Sequence, residues 1–120
     1  MTMMFFLLLA CAGPGNAPDD TGNLHACAEA PVLTWENFGE GFLRENCQAC
    51  HASSAPFRET SPSPPPPYIH FDTKASALEL REAILASATG TSPRMPPQGG
   101  PSADARERLR LWLTCWETEP

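Results

Sequence analysis

Cys47-Gln48-Ala49-Cys50-His51 sets two thiols two residues apart and an imidazole directly after the second. Each thiol can form a thioether to one vinyl group of a porphyrin, and the histidine is then held beneath the iron as an axial ligand. C-x-x-C-H is the pentapeptide to which a c-type haem is attached. A second axial ligand is present downstream in Pro93-Arg94-Met95-Pro96-Pro97, where one methionine sits in a stretch too rich in proline for a helix or strand. Thioether sulfur is a soft, polarizable donor suited to haem iron, and a His/Met pair raises the reduction potential relative to stronger donors. Flanking prolines restrict the backbone and lower the entropy lost when the sulfur is fixed. The residues therefore point to one covalent haem c, attached at Cys47 and Cys50 and ligated by His51 and Met95. The plainer reading of Met95 is an exposed loop side chain. His25 and His70 are the alternative sixth ligands, and a bis-histidine site would lower the potential. The remaining methionines, Met1, Met3 and Met4, lie in the leader and offer no rival thioether.

These side chains must be held by a small domain. A chain of 120 residues makes one domain at most. A core of that size is marginal without a metal, disulfide or large prosthetic group. Fourteen prolines argue against a helix-dense bundle and for long ordered loops around something. Eight basic residues against fourteen acidic ones give a net charge of −6, which excludes nucleic acid and anionic membrane surfaces as natural electrostatic partners and favours a basic protein patch.

Residues 1–10 are an apolar run of export-signal type, too short to span a bilayer. Leu8-Leu9-Ala10-Cys11 resembles the lipobox of bacterial lipoproteins, which implies lipidation of Cys11 and attachment to a membrane on the periplasmic or cell-surface side. The run lacks the Lys or Arg that ordinarily precedes such a segment. Residues 11–30, rich in Gly, Pro, Asn and Asp at their start, read as a flexible tether, and residues 31–120 as the folded domain. With Cys11 taking lipid and Cys47 and Cys50 taking haem, Cys27 and Cys115 remain as a pair for a disulfide, which an oxidising compartment permits. Two free thiols are the alternative.

Three helices are predicted. Trp35, Phe38 and Phe42 recur at helical period between Leu33 and Asn46, with Thr34 as N-cap and Leu33 and Phe38 placed as a hydrophobic staple. Gly39 and Gly41 each cost about 1 kcal/mol in a helix interior, which suggests close approach of another backbone or a frayed helix. The second helix runs from about Ser76 to Ala88, with Ser76 and Glu79 at capping-box spacing and Gly90 as stop signal. The third begins near Ser102 and carries Leu109, Trp112, Leu113 and Trp116 on one face, with Arg106 and Arg110 elsewhere; it should pack on the first. Ser61 to Pro67 reads as a rigid irregular connection, and Tyr68-Ile69-His70-Phe71 as an apolar patch for a haem edge.

In this order of features, over residues 33 to 117, the chain resembles a monohaem class I cytochrome c. The resemblance implies an all-α domain of about three helices with long Pro-rich loops wrapped around one covalent haem. It also implies that Gly39, eight residues before Cys47, lets the first helix cross closely against Leu109, Trp112 and Leu113. The Gly-Pro that commonly supplies the acceptor for the ligand histidine's second N–H has no counterpart here; Ser61-Pro62-Ser63-Pro64 stands in its region. The expected function is one-electron transfer between redox proteins, one of them with a basic docking patch, and not catalysis. The alternative is a haem-based sensor or small-ligand binder with an open sixth position. A structural zinc module built on Cys47, Cys50 and two of His51, Cys27 and Cys115 is a third reading, with awkward spacing.

Overall fold

The computed structural model describes residues 26–118, and among them there are helices and turns but no strand. The leader, Cys11, His25 and the start of the tether lie outside the described residues. Within the segment assigned to the tether, residues 26–29 already form a helical turn.

The first helical unit opens as a π-helical turn, Trp35–Gly39, and continues as α1, Glu40–Asn46. Thr34 is the N-cap: its hydroxyl accepts from the Asn37 backbone N–H, while Asn37 returns a side-chain bond to the Thr34 N–H, a reciprocal capping box. The Thr34 carbonyl accepts from both Phe38 N and Gly39 N, at 3.1 and 3.0 Å, so the turn is one residue wider than an α-helix. After Cys47 the chain turns once more as α2, Gln48–His51, and once again as α3, Phe57–Thr60. The proline-rich Ser61 to Pro67 is irregular, as its composition predicts.

The predicted second helix is two helices, α4 (Lys74–Glu79) and α5 (Arg81–Ala88), broken at Leu80 with φ −98° and ψ 12°. Its cap is Thr73 rather than Ser76. Ser76 stands at N3, donating its backbone N–H to the Thr73 hydroxyl and accepting the Thr73 N–H in return. Gly90 follows the end of α5 at φ +83°, a left-handed position that suits glycine. The last helix, α6 (Ala103–Cys115), starts where expected, and Ser102 is its cap: its hydroxyl accepts from Ala105 N–H at 3.1 Å.

The core lies where α6 meets the first unit. Leu43, Ala77, Leu109 and Trp112 are fully buried, and Leu33, Phe42, Phe71, Ile84, Ala88 and Leu113 complete the cluster. Trp35 stacks at a tilt on Trp112, ring centroids 6.1 Å apart, and Arg108 lies over the Phe38 ring at 4.9 Å. Gly39 explains the closeness of the crossing: a Cβ there would meet the Trp112 indole at 2.6 to 2.8 Å. The second interior glycine is not used this way, because a Cβ at Gly41 would find nothing within 4 Å.

The two glycines therefore respond to alanine with opposite signs. Gly39→Ala should cost about 1–3 kcal/mol through overpacking against a ring that cannot retreat, whereas Gly41→Ala should gain up to about 1 kcal/mol from helix propensity. Thermal or urea unfolding of the two variants checks this, and equal effects would refute the close crossing.

A disulfide joins Cys27 to Cys115 at the end of α6, with Cα atoms 5.4 Å apart. This is the pairing expected from the cysteine arithmetic, and it withdraws two of the candidate ligands from a zinc site. Among the described residues, no helix is long and apolar enough to cross a membrane.

Candidate functional site

Cys47 ends α1 and caps α2 with φ −126° and ψ −38°, outside helical geometry, so the chain changes direction at the first motif cysteine. Its carbonyl then accepts from Cys50 N at 3.2 Å and His51 N at 2.9 Å, closing the pentapeptide into one turn. The motif's three reactive side chains are thus gathered by local hydrogen bonding. Both thiols are free and partly exposed. Burial pushes the Cys47 thiol up to about 11, with the Arg106 charge opposing the rise and Cys50 adding to it. At neutral pH it is a thiol and not a thiolate.

His51 is half-buried, and its ring lies against Phe71 with centroids 4.9 Å apart. Burial lowers its pKa below the usual imidazole value, the hydrogen bond to Ile69 opposes this, and the charge of Arg58 adds to the lowering. The ring is therefore neutral at pH 7. Its Nδ1 faces the Ile69 carbonyl oxygen at 3.4 Å. With the proton on Nδ1, the lone pair available to a metal is on Nε2. Ile69 O is the carbonyl that faces Nδ1.

The loop bearing Ile69 is organised by Arg58, which sequence reasoning did not single out. Its guanidinium donates to Ala52 O (Nε, 2.7 Å), His51 O and Ile69 O (Nη2, 3.1 and 2.7 Å), and Pro65 O and Pro66 O (Nη1, 3.2 Å each). A signal was present. Prolines contribute carbonyls but no N–H groups, so a proline run carries a surplus of acceptors that a nearby arginine can satisfy. Gln48 adds a second tie, donating to Phe71 O at 2.8 Å. In the patch after the prolines only Phe71 is buried, while Tyr68 is 73% exposed. His70 pairs with Asp72, Nδ1 to Oδ2 3.0 Å, out of line for a hydrogen bond, and the Asp72 carboxylate accepts from Ser53 N.

Met95 is held by its backbone on a separate loop. Arg94 N and Met95 N both donate to Ser87 O, at 2.7 and 2.9 Å. From the other side Arg106 donates to Met95 O at 2.7 Å, to Ala88 O at 2.8 Å and to Pro101 O at 3.3 Å. Arg106, expected off the apolar face of α6, is only 9% exposed. It stands three residues before Leu109 and seven before Leu113, and so on the apolar stripe. The Met95 side chain is 39% exposed. The loop reaches the motif's end of the molecule: Arg106 is near enough to Cys47 to act on its thiol, and a Cβ at Gly100 would lie 4.0 Å from Asn46 Oδ1. No hydrogen bond or ring contact joins Met95 to His51 among the described residues. A small cleft lined by Cys27, Ala30, Pro31, Val32, Leu33, Leu111 and Cys115 lies beside the disulfide, and no motif residue lines it.

The donor types fit a c-type haem: two unpaired thiols and a neutral imidazole with a carbonyl facing its Nδ1 lie in one turn, and Met95 is carried on a loop anchored through its backbone. Comparison with protein-family models, with curated proteins and with solved structures finds no match to this chain.

Proposed function

We propose that this protein is a c-type cytochrome that carries single electrons at a bacterial membrane surface. The observation that carries the reading is the Cys47–His51 turn, in which His51 directs Nδ1 at Ile69 O while the other described cysteines are consumed by each other. Cys47 Sγ and Cys50 Sγ would hold the ring through two thioether bonds, each thiol adding across one vinyl group without net oxidation or reduction. His51 Nε2 and Met95 Sδ would be the donors to its iron. The haem, when bound, supplies a ferric/ferrous couple, which is one-electron chemistry with no substrate bond to break.

The chain's own residues keep that couple simple. Packing of the His51 ring on Phe71 and anchoring of the Met95 backbone through Ser87 and Arg106 limit movement of the donors between redox states. Burial of Phe71 against the His51 ring excludes water from that side. Lipidation of Cys11, with residues 1–10 removed, would tether the domain on the periplasmic or cell-surface side, where local concentration replaces tight binding to partners. The net charge of −6 suits redox partners with a basic docking patch.

The test is a reduced-minus-oxidised absorption spectrum of the chain exported with cytochrome c maturation enzymes, beside Met95→Ala. A low-spin c-type spectrum whose methionine signature disappears in the variant is expected. A colourless product from cells that mature a control cytochrome would overturn the haem assignment. A spectrum indifferent to Met95 would move the sixth ligand to a histidine or leave an open sensor site.

A further inference from the structure

The Ile69 carbonyl is shared unequally. Arg58 Nη2 takes it at 2.7 Å, a short charge-assisted bond, while His51 Nδ1 stands off at 3.4 Å. One carbonyl has two lone pairs, but a cation drawing on one lowers the basicity of the other. Arg58 also donates to His51 O and Ala52 O, which fixes its positive charge behind the ligand histidine; no carboxylate forms a close ion pair with it among the described residues, although its charge acts on Asp72. Its bonds to Pro65 O and Pro66 O keep it from swinging away.

We propose that Arg58 is a positioning residue that sets the reduction potential, by holding the Ile69 carbonyl off His51 and placing a fixed positive charge behind its ring. The inference rests on the cytochrome reading. A strong acceptor behind a ligand imidazole pulls the Nδ1 proton away and makes Nε2 a better donor to ferric iron, which lowers the potential. Arg58 weakens that acceptor. Its charge also disfavours the extra positive charge of the oxidised state. Both effects act in one direction, and Arg58 raises the potential.

The experiment is a potentiometric titration of the matured full-length protein and its Arg58→Gln and Arg58→Lys variants, with proton NMR of the ferrous state. Arg58→Gln should lower the equilibrium constant for reduction about tenfold, about 59 mV for a one-electron couple. The His51 Nδ1–H resonance should move downfield as Ile69 turns to it. Arg58→Lys keeps the charge and should hold the potential between those of Arg58→Gln and the unaltered protein, even if the Gln variant does not accumulate. A c-type protein whose potential and ring N–H are unmoved by either substitution would make Arg58 a loop staple only and overturn the proposal. An unaltered chain that matures without colour would instead remove the cytochrome reading, and this proposal with it.

Discussion

Replacing Cys27 and Cys115 together by serine should remove about 4–5 kcal/mol of stability in the chain-entropy account of a cross-link, because the bond closes a loop with a sequence separation of 88. Native disulfides of small exported domains typically cost 2–5 kcal/mol to remove. A domain of this size has only about 5–14 kcal/mol to lose. The reason for so large an effect lies in the fold. The first unit and α6 come from opposite ends of the domain, and their contact around Gly39 and Trp112 depends on a long-range encounter that the disulfide makes nearly local. Urea unfolding of the double serine variant should show a lower midpoint. If the midpoint falls by no more than a surface substitution would cause, the ends are held together by packing alone.

Arg106→Met should be nearly as costly, about 2–5 kcal/mol, and more selective in its consequences. The substitution keeps the bulk of the stem, so the loss is mainly that of three bonds, to Ala88 O, Met95 O and Pro101 O. Ala88 O sits in a buried bond, and a buried carbonyl left without a donor costs about 1–3 kcal/mol. Arg106→Lys should recover little, because one ammonium cannot span the three carbonyls that a planar guanidinium reaches at once. In the haem-loaded protein the same change should weaken or abolish the methionine signature while leaving the His51 side intact, since Ser87 O alone would then hold the Met95 backbone. A stable variant with an unaltered methionine signature would show that Arg106 does not present Met95.

The sequence was most legible where chemistry or geometry is local. Thr34 and Ser102 are short-range caps with a side-chain oxygen three residues from its donor, and Cys47, Cys50 and His51 are neighbours in one turn. Gly39 was readable because a glycine is out of place in a helix unless something presses on it, whereas Gly41 satisfies the same argument and has no such neighbour. At α4 the pattern misled. Ser76 and Glu79 match the capping-box spacing, but Thr73 takes the cap because its extended backbone, φ −132° and ψ 160°, lets Ser76 serve as its N3 partner. Ile69 was invisible in principle, since a backbone carbonyl leaves no mark on residue type. The two arginines that organise the site are hard to read for a related reason: a charged residue is ordinarily solvated, and only the carbonyls gathered around them draw Arg58 partly and Arg106 almost wholly out of water.

The linkage of Cys27 to Cys115 also fixes a path for force. Tension applied to the chain ahead of Cys27 enters the domain at the disulfide and passes directly into the C-terminal end of α6. It does not reach the Thr34 cap as a peeling load, which would unzip the π-helical turn residue by residue. The load must instead shear α6 against the Trp35 and Gly39 contacts all at once. Pulled from that side, the domain would resist through the whole contact between α6 and the first unit before the Cys47–His51 turn came under load.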